Sequence, residues 1–251
     1  MANAIQSGRV VVVVPTLNEA ENVSALIEAM PANVGAWALD ILFVDDDSSD
    51  GTREIIAPLC GGGRVHLLHR IGKRGLGGAY IEGFRWALAR CYDLVFEMDA
   101  DFSHDPRYIA DFISKIESGA DLVLGSRYIG GVRVLNWPIS RLLLSISAGR
   151  FVRAVTGMPF SDPTGGFKCF RRTTLERLNL DTVRSNGYGF QIELTHQAWM
   201  IGCDIREIPI VFEDRRAGVS KMSIAIAGEA FARVLHLGVL SILKDMSGRK
   251  K

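Results

Sequence analysis

Two acidic clusters carry the strongest chemical signal in this chain of 251 residues. Asp99-Ala100-Asp101 follows the apolar run Leu94–Met98, so both carboxylates emerge at the end of an expected strand. Carboxylate oxygens suit hard divalent cations such as Mg²⁺ or Mn²⁺, and a site with few protein ligands leaves positions open for phosphate oxygens and water. Taken alone, such a pair also fits a solvated strand-end turn. The second cluster, Asp45-Asp46-Asp47-Ser48, closes another apolar run, Ile41–Val44. Three adjacent carboxylates repel one another unless they diverge or meet donors. One of them can accept hydrogen bonds from a nucleobase or ribose, while Asp50 or Ser49 caps the helix that follows.

Cations lie farther along. Arg127 sits in Gly125-Ser126-Arg127-Tyr128 after a short apolar run, and Arg215, Arg216 and Lys221 occupy a polar stretch. Two such cations can clamp a diphosphate, since guanidinium and ammonium groups make charge-assisted bonds to phosphate. Gly72-Lys73-Arg74-Gly75-Leu76-Gly77-Gly78 places glycines and cations at a helix start, where main-chain N–H groups attract anions. It is no P-loop, because no Ser or Thr follows Lys73. It is no dinucleotide fingerprint either, because Tyr80 stands where the third glycine belongs. Close helix packing remains the other reading of these glycines. GxSxG and HExxH are absent and the five histidines lack metal-ligand spacing; His104 reads as support for the acid pair rather than as a ligand.

The elements that must position these groups alternate. Val10–Val14, Ile41–Val44, Arg64–Leu68, Leu94–Met98 and Leu122–Leu124 have the length and apolar character of buried strands. Between them fall helical segments: from Asn18, a candidate N-cap with Glu21 completing a capping box, to about Met30; Thr52–Leu59; Gly77–Cys91; and from Pro106 to about Glu117. The order predicts a mostly parallel α/β sheet flanked by helices. Ligands of such sheets sit beyond the carboxyl ends of the strands, where both acidic clusters fall. In the second half, Ser140–Val155, Glu193–Met200 and Ile224–Leu243 are expected helices and Ile205–Val211 an expected strand.

Composition bounds the function. Apolar residues form 48% of the chain, enough for a large core, and a net charge of +1 gives no nucleic-acid footprint. Cys60, Cys91, Cys169 and Cys203 form no CxxC pair, which favours a reducing, cytoplasmic setting over a zinc site or disulfide framework. The N-terminal residues show no signal-peptide pattern. Ile224–Leu243 is interrupted by Glu229, Arg233 and His236, so it is not expected to span a bilayer.

Taken together, the motifs resemble the polyprenol-phosphate (dolichol-phosphate) mannose synthases of glycosyltransferase family 2. The matching pieces run in order from Pro15-Thr16-Leu17-Asn18-Glu19 through Val44–Thr52, Gly75–Tyr80, Met98–Pro106 and Gly125–Tyr128. They continue with Asp162–Phe167, Gly187–Gln191 and Asp214-Arg215 through Gly218–Met222. The resemblance implies a GT-A fold and transfer of mannose from GDP-mannose to a polyprenyl phosphate. Pro15, Glu19, Val44 and Asp46 would surround the nucleoside. Asp99, Ala100 and Asp101 would meet Mg²⁺ or Mn²⁺ and the diphosphate, with Ser103 near the metal. Arg127, Arg215 and Lys221 would contact phosphates or sugar. Leu17 stands where an aromatic residue is usual, and Ser103 where some relatives carry glutamine.

The expected organisation is a catalytic domain over residues 1–222 and an amphipathic C-terminal interface helix with a basic tail over 223–251. The expected reaction is one in-line, inverting displacement, with Asp101, Arg215 and Lys221 as catalytic groups. Ser140–Val155 and Ile224–Leu243 carry scattered cations among apolar residues, which suits either core helices or helices lying in a headgroup plane. The latter implies a peripheral location on the cytoplasmic face of a membrane, with a membrane-anchoring subunit as a candidate partner. A UDP-glucose-dependent polyprenyl-phosphate glucosyltransferase is the nearest alternative. A non-catalytic nucleotide-sugar-binding subunit is the alternative from another class.

Overall fold

The computed structural model describes residues 7–72, 75–183, 188–214 and 224–248. Lys73, Arg74, Gly187, Arg215, Arg216, Lys221 and the basic end Arg249-Lys250-Lys251, all singled out above, lie outside the described residues.

The chain runs β1 (Gly8–Thr16), α1 (Ala20–Ala29), β2 (Asn33–Val34), β3 (Trp37–Asp45), α2 (Thr52–Ile56), β4 (Val65–His69), α3 (Leu76–Ala89), β5 (Leu94–Glu97), α4 (Ile109–Glu117) and β6 (Leu122–Ser126). It continues with β7 (Val134–Leu135), α5 (Ile139–Thr156), β8 (Lys168–Arg171), α6 (Arg172–Arg177), α7 (Tyr188–Met200), β9 (Ile205–Pro209), β10 (Phe212–Glu213) and α8 (Ile224–Gly248). One sheet has the order β2-β3-β1-β5-β8-β6-β9, with β4 added on β3; β7 and β10 form a separate pair. All strands of the large sheet run parallel except β2 and β8.

The sheet is buried on both faces, as its β-branched strands predict. Side chains alternate across a strand, so β1 divides its valines. Val11 and Val13 join Tyr80, Phe84, Phe170 and Phe190 on the face covered by α3 and α7. Val10, Val12 and Val14 join Leu26, Phe96 and Phe112 on the face covered by α1 and α4. Val10 to Val14 are all fully buried, and each contributes roughly 1.5–3 kcal/mol over an exposed position. Gly83 lets α3 settle onto β1: a Cβ there would stand 2.4 Å from Val13 Cγ1 and 3.3 Å from Val44 Cγ2.

β8 was not anticipated. Its short segment, Lys168–Arg171, enters antiparallel between β5 and β6, because the return from α5 brings it back across the sheet. The expected N-cap at Asn18 is overturned. Glu19 holds that position, and no side chain of its own caps the helix. Asn18 instead adopts φ +58°, a left-handed conformation that asparagine tolerates better than most residues. Asp50 serves the helix start from across the loop, with Oδ2 accepting the Ala20 N–H at 3.0 Å.

α8 packs on α7 and α5 through Val234 and Leu237, both nearly fully buried. Arg233 pairs with buried Glu193, His196 Nε2 meets Ser241 Oγ at 2.9 Å, and Phe151 stacks on Phe231 at 5.0 Å. No helix among the described residues is long and apolar enough to cross a membrane.

Candidate active site

β1, β3, β5 and β6 point the same way, so the loops following them share one sheet edge. That edge holds Asn18 and Glu19 after β1, the aspartate cluster at the end of β3, Asp99 to His104 after β5, and Arg127 after β6. Asn18, Asp47 and Phe102, one from each of the first three loops, have positive φ. For a residue as large as Phe102 that conformation is costly, and such strain persists where surrounding contacts fix the loop.

The three adjacent aspartates diverge, and each finds its own donors. Asp45, fully buried, accepts from Thr16 Oγ1 (2.9 Å), Ser48 N (2.9 Å) and Ser48 Oγ (2.5 Å), and so holds its loop together. Asp47 faces the other way, 3.0 Å from His69 Nε2, and that bond keeps its carboxyl below the usual range. Asp46 points inward, paired with Arg70 and accepting the Gly75 N–H at 2.7 Å. Burial pushes the Asp46 carboxyl up despite both donors. Pro15 and Val44 pair in register on the neighbouring strands, and Asp46 N donates to Thr16 O at 2.9 Å. Pro15, Val44 and Asp46 are thus brought together. Glu19 follows Pro15 in the loop after β1, its N–H donating to Thr52 Oγ1 at 2.9 Å and its Oε2 accepting from Asn22 Nδ2 at 2.8 Å. Val44 is fully buried, so it forms a floor rather than a wetted wall.

The acid pair is held from below. Asp101 is 8% exposed, and its Oδ1 accepts from Ser103 N (3.1 Å) and Ser103 Oγ (2.6 Å). Asp99 is more open; its Oδ1 accepts from the buried Tyr80 hydroxyl at 3.3 Å. Burial first, then the charges of Asp99 and Glu97, push the Tyr80 hydroxyl well above its ordinary range, so it remains a donor. His104 Nδ1 accepts the Asp99 N–H at 3.0 Å, and burial lowers its pKa, which keeps the ring neutral. Its ring stacks on Phe167 at 5.1 Å. His104 therefore supports the turn, as its place in the sequence suggested. Ala100 is buried between the two carboxylates. Among the described residues no three His, Cys, Asp or Glu side chains gather as a metal site. The two carboxylates and the Ser103 hydroxyl are a donor set of hard oxygens, which fits Mg²⁺ or Mn²⁺ when substrate oxygens and water complete the shell.

Arg127 is set more deeply than the sequence suggested. It is 5% exposed and forks onto Asp162, with Nε to Oδ2 at 2.6 Å and Nη2 to Oδ1 at 2.7 Å. Nη2 also donates to Thr164 Oγ1 at 2.8 Å. Burial opposes the Asp162 charge, but Arg127 overrides it and holds the carboxyl below its ordinary range. The guanidinium lies over the rings of Tyr128, Phe212 and Trp137 at 5.3, 5.5 and 5.7 Å. Nearby, Arg141 Nη1 reaches both oxygens of Asp214 at 2.9 and 2.8 Å.

Four groups near this edge were given no role by the sequence: Arg70, Glu97, Lys168 and Asp162, the last of them the first residue of a matching motif. Glu97 and Lys168 face each other in register on β5 and β8, with Lys168 Nζ 3.9 Å from Glu97 and 2.6 Å from Gln191 Oε1. Burial raises Glu97 to about 7 and lowers Lys168 to about 8. The signal was present: each is a lone charge in an apolar run, and buried charges are kept where they are paired.

The sequence profile of Glycosyl transferase family 2 matches residues 11–178. The chain is 42% identical to the polyprenol monophosphomannose synthase of Mycolicibacterium smegmatis, over 96% of this chain and 91% of that protein. It is 40% identical to the undecaprenyl-phosphate mannosyltransferase of Micrococcus luteus, over 96% of this chain and 98% of that one. Among solved structures, it is similar to the glucosyl-3-phosphoglycerate synthase of Mycobacterium tuberculosis in complex with Mn²⁺, uridine diphosphate and phosphoglyceric acid. The TM-score is 0.70 at 19% identity, covering 94% of this chain and 80% of that one. That likeness speaks for a shared GT-A-like fold.

Proposed function

Because the chain belongs to glycosyl transferase family 2, we propose that it transfers mannose from GDP-mannose to a polyprenyl (dolichyl) phosphate, with inversion at the anomeric carbon and release of GDP. The observation that carries this reading is the shared sheet edge on which Asp46, Asp99, Asp101 and Arg127 all fall. The named activities of the two mannosyltransferase relatives support the substrate class.

Pro15, Glu19 and Asp46 are assigned to the nucleoside, over the floor made by Val44. Asp99 and Asp101, with Ser103 beside them, are assigned to a divalent cation, Mg²⁺ or Mn²⁺. When bound there, such a cation supplies Lewis-acid neutralisation of the leaving diphosphate. Arg215 and Lys221 are assigned to screening the negative charge of donor and acceptor, and Arg127 to shaping the sugar end of the site. The acceptor phosphate is already anionic near neutral pH, so the chain needs no strong general base. Its work is to bring two anions into line. Residues 1–222 are taken as the catalytic domain and 223–251 as its interface helix and tail.

The lipid acceptor needs a route to the site. α5 exposes Ile139, Leu143 and Leu144, and α8 exposes Phe231, Leu235, Val239, Ile242 and Leu243, while the two helices pack against each other. Apolar residues mixed with cations on such a surface suit a helix pair lying at a headgroup plane, on the cytoplasmic face of a membrane.

Two experiments test the reading. With Mn²⁺ and a short polyprenyl phosphate, radiolabelled GDP-mannose is expected to transfer label to the lipid phase faster than radiolabelled UDP-glucose. A faster reaction with UDP-glucose would overturn the donor assignment. In flotation with vesicles containing anionic lipid, the protein is expected to rise with the vesicles, and replacing Leu143, Phe231 and Ile242 together by serine is expected to leave it at the bottom.

A further inference from the structure

We propose that the Tyr80 hydroxyl is a positioning group for Asp99: it fixes one carboxylate oxygen and thereby sets the affinity of the acid pair for its divalent cation. The inference rests on the reading of Asp99 and Asp101 as cation ligands and adds to it a residue from a different element.

The two carboxylates are steadied by different means. Asp101 is steadied locally, by the main-chain N–H and hydroxyl of Ser103 two residues on. Asp99 is about a third exposed, and a carboxylate in that setting has rotamer freedom to lose when a cation binds. Tyr80 reaches it from α3, with its hydroxyl 3.3 Å from Asp99 Oδ1. The ring cannot follow a wandering carboxylate. It is fully buried, stacked almost flat on Phe190 at 5.6 Å and 5°, and flanked by Phe84 at 6.0 Å. A donor clamped in this way gives Asp99 a fixed partner, so less order is left to be gained when the cation arrives. Groups that orient metal ligands through hydrogen bonds commonly govern affinity in this manner. The position also explains why an aromatic alcohol is used: the ring fills the core between α3 and α7 while the hydroxyl alone meets the site.

Tyr80→Phe removes the hydroxyl and keeps the ring. Titration calorimetry with Mn²⁺, alone and with saturating GDP, is expected to show affinity weakened about tenfold. The variant is expected to melt as the parent does without metal. In the transfer assay the Mn²⁺ concentration for half-maximal rate is expected to rise in proportion, with kcat recovering at saturating Mn²⁺. Two further variants separate the possible outcomes. Asp99→Asn is expected to weaken Mn²⁺ binding as well. Phe84→Leu relaxes one flank of the ring while the Phe190 stack and the hydroxyl stay in place, and it is expected to weaken Mn²⁺ binding less than Tyr80→Phe does. Unchanged affinity in Tyr80→Phe beside a weakened Asp99→Asn overturns the role of Tyr80 and leaves the cation site standing. Equal losses in Tyr80→Phe and Phe84→Leu overturn it too, by reducing it to packing. Unchanged affinity in both Tyr80→Phe and Asp99→Asn removes the cation site and the inference together.

Discussion

Asp101→Ala is expected to transfer mannose roughly 10³-fold more slowly than the parent chain while keeping its fold. The carboxylate sits in the loop after β5 at the sheet edge, and on the proposed reading its removal takes away charge where a diphosphate is neutralised. The lost bonds include those to Ser103 N and Oγ. Two such bonds are worth about 1 kcal/mol each. Circular dichroism and a melting curve close to the parent's would therefore accompany the loss. Asp101→Asn sharpens the test, since it retains an acceptor for Ser103 but not the charge. If turnover of Asp101→Asn stays near that of the parent, the assignment of this carboxylate to a cation fails.

The second large effect falls on stability. Asp162→Ala leaves the Arg127 guanidinium buried without its forked partner. Breaking a buried ion pair from one side typically costs about 3–5 kcal/mol, because the remaining charge is stranded away from water. In a chain of this size that lowers the melting temperature by roughly 10 °C. Removing both partners together, as Arg127→Met with Asp162→Ala, is expected to recover part of the loss, since no stranded charge remains. The double-mutant cycle in thermal unfolding measures this coupling. Additive losses would mean that the pair is not the anchor described.

The sequence made the sheet and its acidic tips legible because those signals are local. Val10–Val14 announces a strand buried on both faces, and the run from Leu94 ends on the acid pair that the structure places at the sheet edge. The order of strand and helix up to β6 followed in the same way, apart from the two-residue β2. What stayed hidden depends on partners distant along the chain. Glu97 reads as an interruption of an apolar strand until Lys168 arrives opposite it on β8. Arg70 is an ordinary surface cation until the turn after β3 presents Asp46. Arg127 invites a ligand on paper, but Asp162 occupies its fork. Asn18 failed as a cap for a related reason. Its main-chain N–H donates to Ser48 Oγ and its side chain accepts from Ser49 N, both at 2.9 Å, and those ties across loops outweighed the local capping preference.

The antiparallel strand in the middle of the sheet has a consequence for biosynthesis. β3, β1, β4 and β5 can zip together from the first hundred residues to leave the ribosome, but among the described residues β6 pairs only with β8 and β9. Until residue 171 emerges, β5 is a raw border and β6, though packed on α4, has no strand beside it. A long wait of that kind exposes unpaired main chain to unwanted neighbours. β8 brings Lys168 opposite Glu97 of β5, so the ribbon that fills the slot also supplies the cation that faces the buried carboxylate.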